Sequence, residues 1–140
     1  MRSIVLASLL ALSIACGKST PPADSAKAGS SAEAFKQMTV EEVETRIAAN
    51  DGKTFVFDDN DADRFAKGHV PGAKNLPYKD VAADKLPADK SSTLVFYCYS
   101  DECSACHQAA TAAIGLGYTN VYIMPEGITG WEKKGKKIES

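Results

Sequence analysis

Three short runs of unbroken apolarity constrain the fold of this chain more than any other feature: Thr54-Phe55-Val56-Phe57, Thr93-Leu94-Val95-Phe96-Tyr97 and Val121-Tyr122-Ile123-Met124. Each is rich in β-branched and aromatic residues, and none alternates with polar ones, which is the pattern of strands covered on both faces. The segments around them have helical character. Thr39-Val40-Glu41-Glu42 fits a capping box, Val40, Val43 and Ile47 fall on one helical face, and Asn50-Asp51-Gly52 stops the segment. An Ala-rich stretch from Cys106 to Ile114 precedes Gly115 and Gly117 and reads as a second helix. Strands that alternate with helices predict an α/β domain with a mostly parallel central sheet and helices on its faces.

The length of 140 residues allows one such domain plus extras, and 44% hydrophobic content argues against wholesale disorder. Sixteen basic against eighteen acidic residues leave no surplus to pull the chain onto nucleic acid, so no nucleic-acid partner is expected. The extras lie at the start. Residues 1–15 carry Arg2 and then an apolar run from Ile4 to Ile14, which reads as an export signal. It ends Leu12-Ser13-Ile14-Ala15-Cys16, similar to the lipobox of bacterial lipoproteins, in which the cysteine is acylated. Residues 16–34 are too poor in large apolar side chains to offset their ordering entropy and read as a flexible tether. The expected location is the cell envelope, with the domain at 35–140 facing the periplasm on a lipid anchor at Cys16, at the outer membrane where a cell has two. The alternative is a secreted chain.

An exported domain can keep disulfides, and beyond Cys16 the chain has Cys98, Cys103 and Cys106. Three thiols cannot all pair within one chain, so one stays reactive or the set works as a redox group. In parallel sheets, reactive groups collect where strands end, and two ends stand out: Asp58-Asp59-Asn60 after the first run, and Cys98 after the second. A cysteine at such a strand-to-helix turn can have its thiolate held by backbone N–H groups and the positive end of the next helix. The competing reading is a buried core cysteine.

Residues 36–140 resemble the rhodanese family. Arg64-Phe65-Ala66-Lys67-Gly68-His69-Val70-Pro71-Gly72-Ala73-Lys74-Asn75-Leu76-Pro77 is similar to its first signature, built on GHIPGA with a following N-x-P, and Asp58 stands where the family aspartate closes the preceding strand. Phe96-Tyr97-Cys98 opens the loop of the catalytic cysteine, Gly117-Tyr118-Thr119-Asn120-Val121-Tyr122 matches a G-Y-x-N-V-Y segment, and Gly127-Ile128-Thr129-Gly130-Trp131 resembles the closing signature. The resemblance implies a rhodanese-like α/β fold and transfer of sulfane sulfur. Cys98 would be the catalytic nucleophile that becomes a persulfide, and Tyr99, Ser100, Asp101, Glu102, Cys103 and Ser104 the substrate-binding loop whose amides ring its sulfur. The implied partners are a small sulfur donor and a thiol acceptor, with a monomeric chain.

The loop departs from the family in ways that bear on chemistry. Active members usually follow the cysteine with a basic residue and place an arginine later in the loop; here the loop is acidic and arginine-free, and the segment from the cysteine to the Gly-Tyr pair is about two residues longer than the common pattern. Asp101 and Glu102 would disfavour an adjacent thiolate and repel a dianion such as thiosulfate, unless they complement the next helix dipole. A phosphatase is not expected, since Ser104 stands where a longer C-x5-R loop would place arginine. The family's Asp-x-Arg reads Asp58-Asp59-Asn60, so Arg64 is expected to meet Asp58, Asp59 or Asp61. His69 reads as a turn-stabilising residue.

Cys103-Ser104-Ala105-Cys106-His107 has the spacing of covalent haem attachment, and Cys98, Cys103, Cys106 and His107 are residue types that zinc accepts, yet the rhodanese core leaves haem no obvious slot and adjacent Cys106 and His107 point in different helix directions, so no cofactor or metal is expected. The stronger alternative is a thiol–disulfide module in which Cys103 and Cys106 form a C-x-x-C pair and His107 shuttles a proton. Cys103 could also resolve a persulfidated Cys98. A third reading is a non-catalytic binding domain.

Overall fold

The computed structural model describes residues 35–140; the export segment, Cys16 and the tether lie outside the described residues. Five parallel strands form one sheet in the order β1-β5-β4-β2-β3: β1 Lys36–Gln37, β2 Thr54–Asp58, β3 Lys74–Asn75, β4 Thr93–Tyr97 and β5 Asn120–Ile123. The three apolar runs are the three central strands, because only these are covered on both sides.

Helix α1 (Val40–Ala49) starts at the expected capping box: the Glu42 N–H donates to Thr39 Oγ1 at 3.3 Å, and the Thr39 N–H donates to Glu42 Oε2 at 2.7 Å. It stops at Asn50, whose left-handed φ of 44° turns the chain towards β2. Helices α2 (Ala62–Lys67), α3 (Ala105–Gly115) and α4 (Gly127–Lys133) follow β2, β4 and β5. Alternation along the strands sorts the core into two layers. Phe57, Leu94, Phe96, Val121 and Ile123 face α3, which meets them with Cys106, Ala109, Ala110 and Ala113. The small alanine side chains let this helix lie close to the sheet. Val56, Val95 and Tyr97 point the other way, against Val40 and Val43 of α1 and Ile128 and Trp131 of α4.

The first signature is fastened to the sheet through one buried pair. Asp58 is the register partner of Tyr97, so their side chains share a face. The Tyr97 hydroxyl donates to Asp58 Oδ2 at 2.7 Å and accepts from the Val70 N–H at 3.0 Å, which holds the Gly68-His69-Val70-Pro71-Gly72 turn. Asn75 Nδ2 donates to the Asp58 and Asn60 carbonyls at 3.2 and 2.8 Å, clamping the next segment to the same strand end. His69 completes the turn as a structural residue: its ring stacks on Phe65 at 3.7 Å and its Nδ1 lies 3.0 Å from the Phe65 carbonyl.

Candidate active site

Cys98 follows β4 directly, at the carboxyl end of the central strand. Parallel register continues one residue beyond β2 and β4, through a 2.8 Å bond from the Asp59 N–H to the Tyr97 carbonyl. Asp59 is therefore level with Cys98, and both project to the α3 face, opposite Asp58 and Tyr97. The base of the loop is pinned from α4: the Ile128 and Thr129 N–H groups donate to the Cys98 and Tyr99 carbonyls, each at 3.0 Å. Gly127 makes this approach possible. It has φ +61°, and a Cβ there would stand 2.6 Å from the Tyr99 carbonyl carbon and 2.7 Å from the Cys98 oxygen. The closing signature is thus the element that holds the cysteine loop.

The geometry around the sulfur differs from the expectation of an exposed thiolate ringed by amides. Cys98 is 1% exposed, and its Sγ points at the Cys103 carbonyl at 3.3 Å and lies 3.9 Å from that of Ser100. These carbonyls accept from a thiol and would repel a thiolate. The physical reason is that the loop turns on itself at residues 100–103, which leaves two of its carbonyls facing the sulfur. The Cys103 N–H already donates to the Ser100 carbonyl at 3.0 Å. Contact with the Cys106 thiol, followed by burial, pushes the Cys98 thiol far above the ordinary range; a donated bond from Cys103 and the Cys106 N–H only partly oppose this.

The three cysteines converge, but not as a Cys103–Cys106 pair. Cys98 sits between the other two: its Sγ is 3.7 Å from that of Cys106 under the loop and also receives a bond from the Cys103 thiol, while Cys106 Sγ stands 3.9 Å from the Cys103 carbonyl. Cys103 is the partly exposed member of the set. Burial and the Cys98 thiol raise its pKa, and the Ala105 and Tyr99 N–H groups oppose the rise.

The rest of the loop is spread along the rim. Tyr99 is 51% exposed, Ser100 is half-buried, and Asp101, Glu102 and Ser104 are exposed. Ser104 is the N-cap of α3 without a side-chain capping bond, and Asp101 and Glu102 precede that helix, three and two residues before its cap. His107 packs its ring against Phe35 with centroids 5.5 Å apart. Among the described residues, no group of three or more His, Cys, Asp or Glu side chains is placed to hold a metal ion.

Two site features are not visible in the sequence. Asp59 is named there as part of a strand-end cluster and as a candidate ion-pair partner of Arg64, yet it is 4% exposed and both its carboxyl oxygens lack a hydrogen-bond partner. Burial, ahead of the neighbouring acidic groups, pushes its pKa well above the usual carboxylate range. Counting equal steps past Phe57 and Phe96 would have found it. Arg64 is the second. Its guanidinium does not meet the aspartates; only its backbone N–H bonds Asp61, as an N-cap contact of 2.8 Å. The guanidinium instead reaches Glu132 and the Gly68 carbonyl at 3.4 and 3.3 Å, and lies 5.4 Å from the Tyr99 ring, bringing one cation to the rim of the arginine-free loop.

Known proteins are similar to this chain in sequence and in fold. The thiosulfate sulfurtransferase GlpE of Pseudoalteromonas translucida is 25% identical over 107 residues, covering 76% of this chain and 98% of that one. The protein of the same name from Pseudomonas entomophila is 30% identical over 97 residues, covering 69% and 84%. Among solved structures, the BH2092 protein of Bacillus halodurans superimposes with a TM-score of 0.70 at 23% identity, covering 75% of this chain and 77% of that one. The rhodanese-like domain of the Anabaena Alr3790 protein gives 0.64 at 23% identity, covering 74% and 78%. Strands β2 to β5, the clamped signature turn and the loop held by α4 all fall inside residues 39–134, the span matched by the family description Rhodanese-like domain, and the chain belongs to that family.

Proposed function

We propose that this domain is a sulfurtransferase in which Cys98 carries sulfane sulfur as a persulfide. The observation that carries the reading is the position of Cys98: a thiol at the carboxyl end of the central strand, its carbonyl gripped by α4, with two further thiols within reach. The relatives named above are thiosulfate sulfurtransferases, which supports the reaction class. In the described conformation the loop closes over Cys98, so entry of a donor requires residues 99–104 to swing outward on the base that Ile128 and Thr129 fix. The acidic rim favours a donor of low charge over a dianion, and Arg64 beside Tyr99 offsets part of that penalty.

The test is a single turnover on the reduced full chain, with thiosulfate and separately with glutathione persulfide, following release of sulfite or glutathione. One equivalent per chain that is lost in Cys98→Ser and kept in Cys103→Ser supports the reading. Loss in Cys103→Ser with retention in Cys98→Ser moves the persulfide to the rim thiol and overturns it. The contact between Cys98 and Cys106 favours a second reading, thiol–disulfide exchange without sulfur transfer; there, neither donor would be desulfurated. We further propose that the chain works in the cell envelope on a lipid at Cys16, on the strength of the apolar run and the lipobox-like sequence. An intact mass of envelope-purified protein lacking acyl chains at Cys16 would refute this.

A further inference from the structure

We propose that Cys106 is an internal sulfur-releasing thiol, which attacks a Cys98 persulfide and discharges its outer sulfur as sulfide while the two cysteines join in a disulfide. The inference rests on the sulfurtransferase reading above and adds a second activity to it, sulfide release without an external thiol acceptor.

The geometry comes first. The Cys98 and Cys106 sulfurs are 3.7 Å apart, close to the roughly 3–3.5 Å at which reacting atoms stand before bond formation. A bonded pair requires about 2.05 Å, a gap that side-chain rotation and a small backbone adjustment can close. Both side chains are buried, at 1% exposure each, so an external thiol reaches the Cys98 sulfur less readily than Cys106 does. Cys106 sits in the first turn of α3, a helix otherwise lined here by alanines, and keeps its place through the packing of Ala109, Ala110 and Ala113 on the sheet. Its partner is equally fixed, because α4 holds the Cys98 carbonyl. Two thiols clamped in contact form an intramolecular couple with a high effective concentration.

The step balances without an outside oxidant. Cys106 sulfur bonds to the inner sulfur of Cys98–S–SH, the bond between inner and outer sulfur breaks, and the outer sulfur leaves with the electron pair. The Cys106 thiol proton is lost and the departing hydrosulfide gains one, so the Cys98 persulfide and the Cys106 thiol give the disulfide and one molecule of hydrogen sulfide. The sulfane sulfur is reduced and the two thiols are oxidised. An external dithiol then returns the disulfide to two thiols by exchange, being itself oxidised to its disulfide.

The experiment uses the reduced full chain under anaerobic conditions, with one equivalent of thiosulfate or of glutathione persulfide. Sulfide release, intact mass and a peptide map are recorded together. In the wild type we expect one equivalent of sulfide, a mass lower by about 2 Da, and a Cys98–Cys106 crosslink. Cys106→Ala, which suits its alanine-rich surroundings, and Cys106→Ser should desulfurate the donor but release no sulfide, holding about 32 Da more on Cys98. Cys103→Ser, which alters the loop over Cys98, should still yield one sulfide and one Cys98–Cys106 crosslink for each donor desulfurated. A wild-type chain that keeps the added sulfur, or a crosslink mapping to Cys98 and Cys103, overturns the inference and leaves the sulfurtransferase reading standing. Absence of donor desulfuration in the wild type and both Cys106 variants overturns that reading and the inference with it.

Discussion

Two neighbouring residue pairs across β2 and β4 have opposite characters. Asp58 and Tyr97 face the α1 side and are fully partnered: Asp58 Oδ1 accepts from the Asn60 backbone and side-chain amides at 2.9 and 2.7 Å, and Oδ2 accepts from Tyr97. One residue further on, Asp59 and Cys98 face α3, and the carboxyl has no partner while the thiol meets carbonyls and other thiols. The first pair costs little to bury because each polar atom has a hydrogen bond; the second carries an uncompensated desolvation cost beside the sulfur cluster. Polar groups left unsatisfied at a strand end, next to satisfied ones, mark where this fold gives up stability for chemistry.

The comparison can be broken by substitution. The largest effect is expected where the loop is fastened: Gly127→Ala places a methyl into the Cys98 and Tyr99 backbone at a left-handed φ, and should cost about 3 kcal/mol or more, read by denaturant titration. Retention of wild-type stability would show that α4 does not set the loop. Next, Asp58→Ala orphans the Tyr97 hydroxyl and the Asn60 amides and should destabilise by about 2–4 kcal/mol, whereas Asp59→Ala removes no hydrogen bond and should not. Equal losses at the two positions would erase the contrast. Tyr97→Phe should cost about 1–3 kcal/mol, because the Val70 N–H and an Asp58 oxygen lose a partner together.

A pH profile sharpens the same contrast. Asp59 has a folded-state pKa well above its unfolded value, so between the two the folded chain binds more protons than the unfolded one, and stability falls as pH rises through that window. Asp59→Asn should therefore raise the melting temperature at neutral pH, with the gain shrinking to nothing as pH drops below the ordinary carboxylate range. Asp58 is also raised, but its bonds from Tyr97 and Asn60 oppose burial, so it contributes less slope. A pH-independent gain would mean that Asp59 is not titrating. The smallest effect belongs to Arg64→Ala, whose partly exposed pair with Glu132 is worth at most about 1 kcal/mol and less in high salt.

Much of the fold was legible in the chain itself. The capping box at Thr39 and Glu42 works through contacts three residues apart, so its signal is local, and the unbroken apolar runs reported double burial directly. The short strands Lys36–Gln37 and Lys74–Asn75 carried no such signal, because edge strands of two residues have no periodicity to read. At the site, the position of Cys98 was legible and its exposure was not. The loop's length fixes how much chain must be accommodated, not whether its amides or its carbonyls turn inward.

Sequence alone determined the parallel α/β architecture, the family signatures and the thiols available to the site, since each depends on residue type at short range. Tertiary structure decided which of them meet. Cys98 finds Cys106 rather than leaving it to Cys103, Arg64 reaches Glu132 and Tyr99 rather than an aspartate, and Asp59 comes level with Cys98. The physical reason is that these neighbours are set by strand register and by the angle at which α3 and α4 close on the sheet, both products of the packed core as a whole.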